Sequence, residues 1–247
     1  MTAEKYTGIL CPICNSEKTV YLNGDEAITC LYCSVIRTKF HYDPTIYGDS
    51  YAENYLKYAD TDVNVPLNLC RLGIAAQFMP TLNSRLLDVG CCVGEFLRHV
   101  EMYYPNCYGF EPNLIAAKIA NTRISSAVET NLESYNGTTK KFDVITMFDV
   151  IEHIECPKDF LKYLKNFLTP KGVFVITSPN SVSSFVHNDI TKWKHYKSRE
   201  HLFVHSIKSL WLLFEELDMR PLHTGYEESR IRPGNMNNDI FTLVVGR

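Results

Sequence analysis

Four cysteines set out the first piece of chemistry. Cys11, Cys14, Cys30 and Cys33 form two C-x2-C pairs separated by fifteen residues. That spacing lets two tight turns deliver four thiolates to one tetrahedral Zn2+. Four thiolates leave no open coordination position, so such a metal is expected to be structural. The second piece is Asp88-Val-Gly-Cys-Cys-Val-Gly-Glu, where Gly90 and Gly94 bracket a turn. Glycines there let backbone N–H groups approach a ligand at the start of a following helix. Glu111 follows about twenty residues later, where a carboxylate can accept both hydrogen bonds of a ribose diol. The third is Lys192-Trp-Lys-His-Tyr-Lys-Ser-Arg, four cations and two aromatics in eight residues. It suits a grip on a phosphate-bearing substrate with Trp193 or Tyr196 stacking on a ring, or a solvated surface loop.

The composition limits what these groups can belong to. The 247 residues are 45% hydrophobic and 21% charged, which excludes a disordered or fibrous chain. A net charge of -3 supplies no global attraction for nucleic acid or anionic lipid. Residues 1–45 carry four basic against five acidic side chains, which disfavours a nucleic-acid-binding ribbon. No apolar run approaches the ~20 residues of a membrane span, and Met1 to Tyr6 lacks a basic-then-apolar signal pattern. A cytoplasmic location is therefore expected. In that reducing compartment nine cysteines read as metal ligands and small buried hydrophobes, not as disulfides.

Three regions are expected to position these groups. Residues 1–45 read as a zinc ribbon, with a strand from Thr19 entering an Asn23-Gly24 hairpin signal. Residues 46–81 form a tyrosine-rich helical linker or lid, in which Tyr51, Tyr55 and Tyr58 share a helical stripe. A helix follows from Pro66, burying Leu67, Cys70, Ile74 and Phe78 until Pro80 stops it. From residue 82 to 247, short β-rich runs alternate with helical segments: 85–89, 107–110, a weak run near 127, 142–148, 173–177 and 241–245. This is the pattern of an α/β, Rossmann-like, doubly wound and mostly parallel seven-stranded sheet covered by helices.

From Leu82 onward the chain resembles the class I S-adenosylmethionine-dependent methyltransferases. The resemblance rests on Leu87-Asp-Val-Gly-Cys-Cys-Val-Gly, Glu111-Pro112, Phe142 to His153, and Leu168-Thr-Pro-Lys-Gly to Asn180, in that order. It implies that Asp88, Gly90 and Gly94 lie beneath the methionyl and ribose parts of S-adenosyl-L-methionine. It further implies that Glu111 holds the ribose hydroxyls, that Asn131 and Leu132 flank adenine, and that Phe148 and Asp149 close the near side. Cys92 stands where the family's loop usually has glycine; its Cβ is expected either to shift the loop or to point away.

Methyl transfer to a hydroxyl needs a proton removed, and histidine is the natural base. Glu200-His201 resembles the Glu-His pair of zinc-containing sugar methyltransferases, which makes His201 the expected base, with His153 as the other candidate. Glu152, His153 and His201 satisfy no metal-spacing rule, so no second metal is expected there. The acceptor implied is a small polar molecule, a sugar or sugar-like metabolite. Two rivals remain: an RNA or protein methyltransferase docked by the ribbon, and a noncatalytic cofactor-fold module. Oligomeric state is open.

Overall fold

The computed structural model describes residues 6–22, 26–39, 48–59, 61–135, 141–184, 186, 190–197, 199–235 and 238–247. The Asn23-Gly24 hairpin signal lies outside the described residues. The N-terminal strands are β1 (Thr19–Leu22), β2 (Ala27–Cys30) and β3 (Ile36–Thr38). Helices α1 (Asp49–Tyr58) and α2 (Asn64–Ala76) follow. The remainder runs β4 (Leu86–Val89), α3 (Glu95–Glu101), β5 (Cys107–Phe110), α4 (Leu114–Arg123), β6 (Val128–Glu129), β7 (Phe142–Phe148), α5 (Pro157–Lys165) and β8 (Leu168–Pro179). It closes with β9 (Phe203–Val204), α6 (Ile207–Glu215), β10 (Arg220–Gly225), α7 (Glu227–Ile231) and β11 (Ile240–Gly246).

Seven strands form the main sheet in the order β10-β11-β8-β7-β4-β5-β6. The pairs β8-β7, β7-β4, β4-β5 and β5-β6 are parallel, and β11 runs antiparallel to both of its neighbours. Side chains alternate between the two faces, as the pleat demands. Leu87 and Val89 of β4, Phe174 and Ile176 of β8, and Phe241, Leu243 and Val245 of β11 enter one apolar cluster. Leu86, Val173, Val175 and Val244 enter the cluster on the other face. The strand order reverses beside β4, and ligands bind outside the carboxyl ends of strands at such a switch point.

The N-terminal strands do not stand apart from this core. β9 extends their sheet to β1-β2-β3-β9, pairing Ile36 with Val204 and Arg37 with Phe203. Cys11, Ile13, Cys33 and Val35 share one apolar cluster with Leu202, Phe203 and the α6 side chains Leu210 and Phe214. Two hydrogen bonds tie the same seam: Thr38 Oγ1 to the His201 carbonyl at 2.8 Å, and Ser206 Oγ to the Cys33 carbonyl at 2.6 Å.

Helix α2 starts two residues before Pro66, which sits within its first turn, where a missing N–H costs nothing. On α1, Tyr58 is 65% exposed, so the tyrosine stripe is not one continuous packing seam. Among the described residues no helix is long and apolar enough to cross a membrane.

Candidate active site and thiolate cluster

At the carboxyl end of β4 the chain turns sharply through Gly90 (φ +75°), Cys92 (φ +49°) and Gly94 (φ +80°) before α3 begins. A Cβ on Gly90 would sit 2.6 Å from Val150 Cγ2, so both the backbone angle and the close approach require glycine. Cys92 accepts the left-handed conformation without glycine's freedom. Cys92 lines both cavities described below.

Glu111, 6% exposed just beyond β5, braces this turn. Its Oε2 accepts the Cys92 N–H at 2.9 Å and its Oε1 accepts the Asn113 N–H at 2.8 Å. Burial raises its pKa, and the two N–H donors oppose that rise. Each oxygen keeps a second lone pair, which is what a diol needs.

Two adjoining cavities open here, of about 310 and about 250 Å³, sharing Tyr51, Gly90, Cys92 and Asp149. Glu111, Phe110 and His153 line the first. Asp88, Arg71, Phe148 and Arg232 line the second. Asp88 accepts from Thr146 Oγ1 at 2.6 Å, and burial raises its carboxyl to about 7. Phe148 packs edge-on against Phe96 at 4.9 Å, with the Arg71 guanidinium 4.4 Å from its ring centre. Gly94 lines neither cavity and instead starts α3.

The two expected adenine neighbours line neither of these cavities: Asn131 Oδ1 accepts the Glu133 N–H, and Leu132 is buried in the apolar core. Short polar side chains compete for nearby backbone donors in this way.

Arg71, Arg232 and Glu228 were not legible in sequence. Glu228 is fully buried and accepts Arg71 Nε at 2.7 Å and Arg232 Nε at 3.0 Å. Both guanidiniums also reach Asp149 Oδ2, at 3.2 and 2.5 Å. Burial alone would raise the Asp149 pKa, but Arg232 and Arg71 hold it well below the usual carboxylate range. Arg71 interrupts an apolar helix, but Glu228 and Arg232 lie in a charged segment where nothing local singles them out.

The three expected catalytic residues separate. His153 lines the cavity, and its Nδ1 donates to the Glu200 carbonyl at 2.8 Å. His201, 4% exposed, stands edge-on behind it with ring centres 4.7 Å apart, its Nδ1 donating to the His195 carbonyl at 2.9 Å. Burial lowers His201 to about 3, with His153 and Lys197 adding to the shift, and burial lowers His153 as well. The Glu200 carboxylate turns to Lys197 at 3.1 Å, so what Glu200 contributes here is its backbone carbonyl. Contrary to the spacing argument, Glu152, His153 and His201 do converge, with ligand atoms within 4.8 Å of one another.

The basic stretch before Glu200 is occupied internally. Trp193 is 3% exposed and directs Nε1 to Asp239 at 3.3 Å, while Tyr196 Oη donates to the Glu26 carbonyl and Lys194 Nζ to that of Pro233. The Trp193 ring is thus not presented for stacking, and the Tyr196 hydroxyl is held by the N-terminal strands.

At the other end of the β3-β9 seam the four cysteines gather. Sγ separations are 3.6 Å for Cys11–Cys33 and for Cys14–Cys30. A tetrahedron with ~2.3 Å Zn–S bonds has edges of about 3.8 Å, so the donor set fits zinc. Each C-x2-C turn points an N–H at its first sulfur: Ile13 to Cys11 and Tyr32 to Cys30, both at 3.4 Å. Each then closes on a left-handed residue, Asn15 or Ser34.

A methyltransferase-domain family model matches residues 64–224, well over half of the chain. The chain belongs to the methyltransferase-domain family. A ubiquinone biosynthesis O-methyltransferase of Rickettsia bellii is 29% identical over 126 residues, 47% of this chain and 50% of the relative. A tRNA U34 carboxymethyltransferase of Nautilia profundicola is 28% identical over 185 residues, 66% of this chain and 61% of the relative. The chain thus spans about half the length of the ubiquinone relatives it matches. Among solved structures, magnesium protoporphyrin IX methyltransferase of Synechocystis PCC 6803 with bound S-adenosylhomocysteine superposes with a TM-score of 0.62. It is 14% identical, over 83% of this chain and 100% of that one. A SAM-dependent methyltransferase of Archaeoglobus fulgidus gives 0.60 at 15% identity, over 80% and 100%. The α/β domain is therefore a methyltransferase domain, and it has the fold of S-adenosylmethionine-dependent methyltransferases.

Proposed function

We propose that this chain methylates a hydroxyl of a small polar acceptor, a sugar or sugar-like metabolite, and that its four-thiolate site holds a structural zinc. One observation carries the acceptor reading: Glu111 and His153 line the same cavity, so a cofactor diol on one wall would face an imidazole on the other. S-adenosyl-L-methionine, when bound, supplies an electrophilic methyl on a sulfonium. Glu111 accepts the ribose hydroxyls, and the Gly90-to-Gly94 turn lets backbone approach beneath the methionyl part. Arg71 offers a guanidinium to the carboxylate end from the second cavity, and Asp88 offers a negative charge to the cationic end. His153 and His201 are the acceptor-activating pair, each held by a carbonyl at Nδ1 so that the lone pair sits on Nε2.

Balance requires an O–CH3 bond to form, the S–CH3 bond to break, and the hydroxyl proton to leave on the imidazole side. The small-acceptor reading is supported by the O-methyltransferase relative and by the internal engagement of Trp193, which removes a stacking platform an RNA would use. The similarity to a tRNA-modifying enzyme keeps an RNA acceptor as the second reading.

Incubating the chain with methyl-tritiated cofactor and cell extract tests this. Label is expected in the small-molecule fraction and lost with His153→Asn. Label in the RNA fraction would overturn the small-acceptor reading.

A further inference from the structure

We propose that Glu152, His153 and His201 form a second metal site, one that takes a divalent transition-metal cation beside the acceptor face of the cavity. The inference deepens the function proposed above and rests on it.

Three observations carry it. The first is convergence: a carboxylate and two imidazoles, from the β7 exit and from the loop before β9, bring ligand atoms within 4.8 Å of one another. Two histidines and one carboxylate make a mixed N/O set that suits zinc, iron or cobalt and leaves coordination positions open. The second is orientation. Both rings donate Nδ1 to a backbone carbonyl, Glu200 for His153 and His195 for His201. Such carbonyl-held imidazoles are the usual outer support of metal-binding histidines, because the bond fixes the ring and leaves the lone pair on Nε2.

The third is an unmet need for charge. Glu152 is fully buried; Ser178 Oγ donates to Oε2 at 3.1 Å, but among the described residues Oε1 has no hydrogen-bond partner. Among the described residues, no Lys or Arg forms an ion pair with Glu152. A buried carboxylate facing two neutral imidazoles is costly unless something cationic joins it. Asp149 and Arg232 act on its carboxyl in opposite senses from outside the cluster, and neither is paired with it.

The site's location gives it a use. His153 lines the cavity that also holds Glu111, so a cation on its Nε2 side would be reachable by an acceptor oxygen. A bound cation would lower the pKa of a hydroxyl it touches, which selects an oxygen acceptor over an amine or a carbon acid. With the metal in place both Nε2 lone pairs are ligands, so the imidazoles would activate the acceptor through the cation and the hydroxyl proton would leave to solvent.

The test uses the full chain with its four-thiolate site loaded with zinc. Co2+ is titrated in while the visible spectrum is recorded, and S-adenosylhomocysteine binding is measured by calorimetry on the same samples. One equivalent of cobalt is expected, with d–d bands and no thiolate charge-transfer band. Glu152→Gln and His201→Asn should each weaken that equivalent at least tenfold and leave nucleoside affinity within about twofold. Absence of a nitrogen- and oxygen-bound equivalent, cobalt appearing only with thiolate bands, or undiminished binding in both variants would overturn the site. Loss of nucleoside binding in the unaltered chain would instead overturn the methyltransferase reading, whichever way cobalt behaves.

Discussion

Glu111→Ala separates a cofactor residue from a merely structural one, because this carboxylate has two jobs that fail by different amounts. It satisfies two N–H groups, those of Cys92 and Asn113, at 2.9 and 2.8 Å. Removing it strands these donors in a site where the carboxylate was 6% exposed. At ~1–3 kcal/mol for each buried donor left unsatisfied, partly relieved by water entering the space, stability should fall by about 2–4 kcal/mol. The cofactor loses two charge-assisted hydrogen bonds to its diol, about 2–3 kcal/mol net, which is roughly 30- to 150-fold in Kd. Glu111→Gln keeps the shape but turns an NH2 toward one of the two backbone donors. It leaves one acceptor for the diol, so its affinity should fall between the other two proteins. Calorimetry with S-adenosylhomocysteine gives the affinities and thermal melting gives the stabilities. A folded Glu111→Ala protein that binds within about threefold of the unaltered chain would refute the ribose assignment.

The same framework makes three further predictions. Gly90→Ala places a Cβ 2.6 Å from Val150 Cγ2 at a left-handed backbone position. Strain of about 1–3 kcal/mol should appear in melting, and adding Val150→Ala should recover only the steric share, leaving the backbone share. Asp88 is raised to about 7 by burial, so the free folded chain holds a proton that the unfolded chain releases near 4. Its contribution to stability is therefore present below that range and lost as pH rises through 7, while a bound cation favours the charged form. Affinity for S-adenosylmethionine should accordingly rise from pH 6 to 8 in calorimetry, and Asp88→Asn should flatten that rise. Cys11→Ser should abolish stoichiometric zinc in elemental analysis and lower the melting temperature of the whole chain; retained zinc would reject the four-thiolate site.

What was legible in the sequence was what short-range pattern encodes. β5 and β7 begin and end where their apolar runs do, since a strand buried on both faces reads as a continuous β-rich run. The Gly90 turn and Glu111 were visible because both lie at strand exits fixed by the chain itself. β10 was invisible: it is an edge strand of largely exposed residues, with Pro221 and His223 interrupting any apolar alternation. Arg71, Arg232 and Glu228 come from α2, from the end of α7 and from within α7. Their pairing is a product of packing, and no local spacing announces it. Asn131 and Leu132 were carried over from a motif position, and their local hydrogen bond and burial are likewise products of packing that the motif does not encode.

The N-terminal strands also change what the thiolate cluster does for the rest of the chain. As a separable module, it would lose its metal without consequence beyond residue 82. In the structure, β3 and β9 are neighbours in one sheet, and Thr38 holds the His201 carbonyl while its own N–H donates to Leu202 at 3.1 Å. The Glu152 carbonyl in turn accepts the Leu202 N–H at 2.9 Å. The chain of bonds from β3 therefore runs through Leu202 to the residue beside His153. A metal held by the four cysteines would thus restrain the backbone of both proposed acceptor-activating histidines, although the cluster lies outside both cavities. Binding free energy at such a metal is folding free energy for whatever shares its core, and here that includes Leu202, Phe203 and α6. The N-terminal strands are best understood as the support of one wall of the candidate site: no docking partner is needed to explain their burial against that wall.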